Sequence, residues 1–195
     1  ARVPSNSHEN IKRCLDNGAF GIVVPMVNTA EEARAAVAAT RYHPVGNRSV
    51  GGSLHCLNFG VPAPEYYAEA SNEIFVAVQT EHIEAVENAE EICAVEGVDA
   101  IFVGPNDLLQ SMEKTPGMES DDKEFVEAMD HLRETALKHG VAPGLHTLLP
   151  EQLRRRIDEG WTFLALGSDV ALMLQGAKNS LREAGIGEGG ESTRY

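Results

Sequence analysis

Residues 97–107 read Gly-Val-Asp-Ala-Ile-Phe-Val-Gly-Pro-Asn-Asp. A glycine suited to closing a helix precedes a short apolar run, and the run stops at a Gly-Pro turn that carries an acid. Runs this short and this rich in branched and aromatic residues are typical of strands buried on both faces of a parallel sheet. Working outward, three other runs are entered the same way: Gly18 precedes 20–25, Gly140 precedes 141–145 and Gly160 precedes 161–166. A fifth run, 74–79, is entered from 66–72. The segments between them have helical character. Thr29-Ala30-Glu31-Glu32 has the form of a capping box, in which hydroxyl and carboxylate satisfy orphan amides reciprocally. Phe125, Met129, Leu132 and Ala136 fall on one helix face, and Pro150 sits where a first helical position is expected. Strand and helix alternate five times, the pattern of βαβ units on a parallel sheet.

Composition narrows the function classes. The 195 residues are 43% hydrophobic and 24% charged, as in an ordinary globular domain. No apolar run approaches the ~20 residues that span a bilayer, so no membrane partner is expected. Sixteen basic against 30 acidic residues give a formal charge of −14, a field that repels phosphate backbones and argues against nucleic acid. Cys14, Cys56 and Cys93 are odd in number and widely spaced, and read as reduced thiols of a cytoplasmic protein. The opening Ala1-Arg2-Val3-Pro4 has no initiator Met and suggests a fragment or an N-terminally shortened chain. Residues 1–184 are expected to form one domain and 185–195, rich in Gly, Glu and Ser, a frayed tail. Residues 44–64, with four Gly and three Pro, read as a long loop.

Parallel α/β folds present ligand-binding residues at the carboxyl ends of their strands. Those positions hold Arg2, Met26 and Asn28, the series Gln79-Thr80-Glu81-His82, the series Gly104-Pro105-Asn106-Asp107, His146 and Thr147, and Gly167 to Asp169. Glu81 and Asp107 end consecutive strands. Two hard carboxylates side by side suit Mg²⁺ or Mn²⁺, which keep waters and leave room for substrate oxygens; capping of a helix N-terminus is the plainer role for each. Gln79 shares a face with Glu81. His146 and His55 are further candidates for the pocket, whereas His8, His131 and His139 are expected on solvated surfaces and His82 at a helix start. No phosphate-binding glycine fingerprint and no nucleophile elbow is present, and no Lys ends an apolar run, which argues against Schiff-base chemistry.

Several blocks together resemble the HpcH/HpaI aldolase family of metal-dependent 4-hydroxy-2-oxo acid aldolases: Arg2-Val3-Pro4, Pro25-Met26-Val27, Ala39-Thr40-Arg41-Tyr42, residues 46–51 (Gly-Asn-Arg-Ser-Val-Gly), Val78-Gln79-Thr80-Glu81, residues 95–99 (Val-Glu-Gly-Val-Asp) and Gly104-Pro105-Asn106-Asp107-Leu108. The resemblance runs from Arg2 to about Ala184. It implies a (β/α)₈ TIM barrel of the phosphoenolpyruvate/pyruvate type, here lacking its first strands, since such barrels usually need ~250 residues. It implies Mg²⁺, Mn²⁺ or Co²⁺ on Glu81 and Asp107, and Gln79 beside the bound keto acid. Arg2 would serve as the catalytic guanidinium at the enolate oxygen, and Gly104, Pro105 and Asn106 would hold the pyruvate carboxylate. The implied reaction is cleavage to pyruvate and an aldehyde through a metal-stabilised enolate. The implied assembly is a homo-oligomer, a hexamer built as a trimer of dimers, with residues 170–181 as the exchanged apolar helix. Departures are Asn106 and Leu109, where smaller and hydroxylated residues are usual, and a proton-handling His–Asp pair expected before Ala1. Two other readings stay open: an impaired paralogue acting as an oligomerising scaffold, and an oxaloacetate decarboxylase or macrophomate synthase-like enzyme. A citrate-lyase-like handler of coenzyme A thioesters fits the blocks less well.

Overall fold

The computed structural model of the chain describes residues 1–186. The expected tail therefore lies, from residue 187 onward, outside the described residues. The elements in chain order are α1 (His8–Asp16), β1 (Gly21–Val24), α2 (Ala30–Thr40), α3 (Leu54–Phe59), α4 (Ala63–Glu73), β2 (Phe75–Gln79), α5 (Ile83–Glu87), α6 (Ala89–Cys93), β3 (Ala100–Val103), α7 (Pro105–Ser111), α8 (Lys123–Lys138), β4 (Ala142–Thr147), α9 (Pro150–Asp158), β5 (Phe163–Leu166) and α10 (Asp169–Glu183). All five strands are parallel and lie in sequence order, β1-β2-β3-β4-β5. Each expected apolar run forms its strand. The four glycines that precede runs have positive φ, between 72° and 97°, as left-handed helix exits require.

The sheet curls. β2 and β5 are separated by β3 and β4, about 14 Å in a flat sheet. Yet the Phe75 and Phe163 rings are 5.1 Å apart, and Phe102 meets Phe163 at 5.7 Å. These rings lie on the concave face, which register extends through Gly21, Val23, Ala77, Ala100, Gly144 and Ala165. A Cβ on Gly144 would come 2.5 Å from the Phe163 carbonyl oxygen and 2.9 Å from that of Ile101, so close packing of β3, β4 and β5 there depends on its absence. The described residues thus form an arc of five βα units. The arc corresponds to part of the (β/α)₈ barrel that the resemblance implies with its first strands lacking.

The convex face carries the core. Ile22, Val24, Val76, Val78, Ile101, Val103 and Leu145 meet the buried faces of the helices, among them Phe125, Met129, Leu132 and Ala136 of α8. Each such side chain contributes roughly 1.5–3 kcal/mol by leaving water. Thr29 and Glu32 form the expected capping box, and Pro150 opens α9, where Gln152 Oε1 also accepts from the Leu148 and Leu149 amides. The three cysteines are free; burial pushes the Cys93 thiol up to about 12.

Two expectations need correction. Residues 44–64 are not one long loop: α3 lies inside them, closed by left-handed Gly60, and α4 begins at Ala63. His55, expected near the pocket, is 2% exposed on α3, with its ring 4.5 Å from Tyr66. It belongs to a cluster around buried Arg48, which donates to Asp16 (2.7 Å) and to the Tyr66 hydroxyl (3.3 Å) and lies over the Tyr42 ring. Asp16 ends the helix that leads into β1, and Tyr42 follows Arg41, which donates to the carbonyl of Ile74 at the start of β2. The cluster therefore sits at the amino ends of the strands, opposite the candidate site.

Helix α10 differs from the rest. None of its residues is buried, and Val170, Leu172 and Met173 are 54%, 64% and 67% exposed. Among the described residues, no helix is long and apolar enough to cross a membrane.

Candidate active site at the carboxyl ends of the strands

Period-two alternation sets the site. Phe75, Ala77 and Gln79 face the concave side of β2, and Glu81 continues that parity just past the strand. Phe102 pairs with Gln79, so Gly104, just past β3, stands beside Glu81. Arg2 bridges to Val23 of β1, held by Val3 N–H to Val23 O (3.0 Å) and Val23 N–H to Ala1 O (2.9 Å). Arg2 thereby reaches the same rim.

The side chains form a chain of hydrogen bonds. Arg2 Nε donates to Gln79 Oε1 at 2.6 Å, and Gln79 Nε2 donates to Glu81 Oε2 at 3.0 Å. Arg cannot accept, so the amide has a single possible orientation. The other carboxylate oxygen, Glu81 Oε1, accepts from the Met26 amide at 3.0 Å. Glu81 is 1% exposed. Burial raises its proton affinity and so does neighbouring Asp107, through charge and a hydrogen bond; the Met26 amide and Arg2 oppose them, and the net shift is upward. Gly104 is what lets Glu81 sit there, since a Cβ on it would be 2.3 Å from Glu81 Oε2.

Asp107 lies in the first turn of α7, exposed, against buried Glu81. The two acids named from sequence are therefore together, as are Arg2, Gln79 and Gly104. Pro105 occupies the first turn of α7 and has no N–H, so it contributes shape and no donor. Asn106 is exposed and its side-chain amide donates to Met118 Sδ at 3.2 Å. His82 caps α5, its Nδ1 accepting from the Glu84 amide, as a helix start requires. His146 stands on the concave side of β4, with Nε2 2.7 Å from the Gly167 carbonyl oxygen.

Met26 has a part that its side chain does not announce. It adopts φ +53°, uncommon for a residue other than glycine, and this turns its amide onto Glu81. The only sequence signal was its position at the end of an apolar run.

Among the described residues no group of three or more His, Cys, Asp or Glu side chains is arranged for a metal. The donor set of Glu81 and Asp107 fits a hard dication nonetheless. Two carboxylates, one of them buried and short of positive charge, leave most coordination positions to water and substrate, as Mg²⁺ and Mn²⁺ favour.

A family model described as HpcH/HpaI aldolase/citrate lyase matches residues 1–176. The chain belongs to this family. A relative from Klebsiella pneumoniae subsp. pneumoniae, 5-keto-4-deoxy-D-glucarate aldolase, is 40% identical over 171 residues, 88% of this chain; the chain spans 66% of that relative's length. Among solved structures, an HpcH/HpaI aldolase/citrate lyase family protein from Burkholderia cenocepacia superposes with a TM-score of 0.84 at 30% identity, over 94% of this chain and 72% of that one. Macrophomate synthase superposes with a TM-score of 0.76 at 27% identity, over 94% of this chain and 65% of that one.

Proposed function

We propose that the chain carries the keto-acid half of a metal-dependent lyase site that cleaves 4-hydroxy-2-oxo acids to pyruvate and an aldehyde. One observation carries this reading: a buried carboxylate, Glu81, faces Asp107 in the first turn of α7, just after the next strand, and is tied through Gln79 to the Arg2 guanidinium. Glu81 and Asp107 would hold a divalent cation, Mg²⁺, Mn²⁺ or Co²⁺, which when bound supplies a Lewis acid for the 2-oxo oxygen.

The residues of the chain do the rest. In the cleavage the C4 hydroxyl passes its proton to water, the C3–C4 bond breaks with its electron pair moving toward the C2 oxygen as the aldehyde forms, and a proton from water at C3 then turns the enolate into pyruvate. Arg2 uses Nε on Gln79 and keeps both Nη groups for the oxygen on which charge develops. Gln79 fixes the guanidinium in place before substrate arrives, so no reorganisation is needed during the reaction. The Gly104, Asn106 and Asp107 amides at the opening of α7 would hold the substrate carboxylate, with Pro105 stiffening the turn.

The likeness to macrophomate synthase favours a second reading of the same half-site, in which pyruvate enolate chemistry begins with oxaloacetate decarboxylation. The exposed apolar face of α10 supports assembly with further copies of the chain, a homo-oligomer of the trimer-of-dimers kind, and an assembly lacking turnover is the scaffold alternative.

The test is pyruvate release from oxaloacetate and from 4-hydroxy-2-oxo acids with Mg²⁺, Mn²⁺ or Co²⁺. Release abolished by EDTA and by Glu81→Gln is expected. Metal binding without release from either substrate class would favour the scaffold, and release insensitive to EDTA would refute the metal reading.

A further inference from the structure

A second recess lies at the other end of the strands from Glu81. Helix α4 and its cap residue carry two rows of side chains at four-residue spacing: Tyr66, Ala70 and Ile74 in one, Glu65, Glu69 and Glu73 in the other. The first row is buried and the second exposed. Both rows line a groove of about 250 Å³ that Phe20, Phe59 and Val61 complete. The apolar side is largely aromatic. The Phe20 and Phe59 ring centroids lie 4.6 Å apart, and those of Phe59 and Tyr66 5.2 Å. Phe20, just ahead of β1, is 70% exposed. Five residues of extended chain, about 16 Å, lead from Ile74 along β2 to Gln79, so the groove is separate from the candidate active site.

The carboxylates stand there at a cost to the helix. α4 holds no basic residue, and among the described residues none of its three acids is in an ion pair. Like charges four residues apart oppose helix formation, and here two such pairs follow one another. Glu73 ends the helix, where the dipole favours a cation. No Lys, Arg or His lines the groove. Arg41 is buried and donates to the Ile74 carbonyl oxygen at 2.9 Å, outside the lining. A cation laid along the row relieves all three penalties together, and an uncompensated local conflict of this kind is typical of functional positions.

Spacing decides which cation fits. Four helical residues rise about 6 Å, so the row from Glu65 to Glu73 runs about 12 Å. An unbranched chain with three or four methylenes between nitrogens sets ammonium groups about 5–6 Å apart. Its methylenes cover the aromatic side while the ammonium groups meet the carboxylates, and an ammonium over the open face of Phe20 adds a cation–π contact. A divalent metal binds oxygens at about 2.0–2.6 Å and would leave the apolar side bare. A helical peptide about 10 Å across would lie over a groove of 250 Å³ without entering it. We propose that the groove between α4 and the head of β1 binds a linear aliphatic polyamine, a triamine whose ammonium groups sit on Glu65, Glu69 and Glu73 and whose methylenes pack on Phe20 and Phe59. The proposal is independent of the lyase reading, since neither Glu81 nor its partners take part.

The test is calorimetric titration of the chain with spermidine, 1,4-diaminobutane and Mg²⁺ at low salt, with Glu69→Gln and Phe20→Ser beside wild type. Spermidine should bind once per chain, about threefold or more tighter than the diamine, which reaches only two of the three carboxylates. Glu69→Gln removes the acid shared by both repulsive pairs. Its Tm without ligand should therefore rise, while its affinity for spermidine falls about threefold or more. The opposite signs separate a lost ligand contact from a damaged fold. Phe20→Ser alters an exposed side chain and no charge; it should weaken spermidine about twofold or more and leave any Mg²⁺ binding unchanged. Absence of saturable spermidine binding overturns the proposal. So does equal spermidine affinity in wild type and Phe20→Ser, or Mg²⁺ binding as tight as spermidine, because the row is then an acidic surface only. A Lys- and Leu-rich helical peptide that binds tighter than spermidine and is weakened by Phe20→Ser would assign the groove to a protein partner and overturn the polyamine. A mass by light scattering that falls in Phe20→Ser would assign it to a second copy of the chain, with the same consequence.

Discussion

Replacing Gly104 by Ala adds one methyl group at the point where backbone and carboxylate come closest. The new Cβ would stand 2.3 Å from Glu81 Oε2 and 3.1 Å from its Cβ, so the carboxylate must retreat by about 1 Å to reach ordinary contact. Gly104 has φ −98°, a value any residue adopts, so the backbone imposes no further cost. The retreat is opposed by both donors to Glu81, the Met26 amide and Gln79 Nε2, each at 3.0 Å. Moving a buried carboxylate off one of them lowers unfolding stability by about 1–3 kcal/mol, typical of overpacking and of a lost hydrogen bond to a charge. A displaced ligand also weakens metal binding about 10- to 100-fold, or about 1.4–2.7 kcal/mol. Calorimetric titration with Mn²⁺ measures the second quantity, and urea unfolding in EDTA the first. The same substitution in a Glu81→Asp background, where the acid is one methylene shorter, should cost less, a coupling that a double-mutant cycle reads directly. Gly104→Ala binding Mn²⁺ within twofold of wild type would refute the reasoning. So would a loss of the same size in both backgrounds.

Other outcomes follow from the opposite end of the sheet and from α10. Arg48→Met removes a buried partner from Asp16, whose side chain is 25% exposed, and should cost about 2 kcal/mol, or ~4–8 °C in Tm. Burial pushes the Asp16 carboxyl up, yet hydrogen bonds from Lys12 and Arg48 outweigh it and the net shift is downward. That stability is present above the ordinary carboxylate value, near pH 4, and is lost as pH falls through the lower folded value, so the gap between variant and wild type should narrow in acid. Burial, then Arg48, depresses His55, so the folded chain resists its protonation; wild type should lose stability as pH falls from about 6.5 toward the depressed value. His55→Phe should lose less over that window, and equal slopes of urea midpoint against pH would contradict this. Leu174→Glu puts a charge on the exposed apolar face of α10 and should lower the mass found by light scattering without lowering helix content; an unchanged mass would rule that face out as the contact.

The strands were legible because each is a short apolar run, four of the five entered through a left-handed glycine, a signal that is local in sequence. The pairing of Glu81 with Asp107 was legible for a related reason. Consecutive strands that alternate with helices are neighbours in a parallel sheet, so acids at their carboxyl ends meet on one rim. Where the reading failed, the cause lay in contacts distant along the chain. Helix α3 has a weak start, with no side-chain cap on Ser53, and its place is set by burial of His55 and Cys56 against Arg48 and Tyr66. His55 faces the amino ends of the strands because α3 packs beneath α1 and α4, which nothing in residues 44–64 states. The Met26 amide escaped for another reason: a left-handed methionine leaves no mark in composition, and its backbone acts where its side chain does not. The partial barrel that the resemblance implies, lacking its first strands, corresponds to the arc of five strands described.

Gln79 stands between a cation and an anion that would otherwise meet. A direct bond between Arg2 and Glu81 would spend both charges on each other and leave the mouth electrically quiet. The neutral amide insulates them by one hydrogen bond on either side, so the guanidinium and the carboxylate both keep free valence for a visitor. The resting protein thus holds its polarity in reserve.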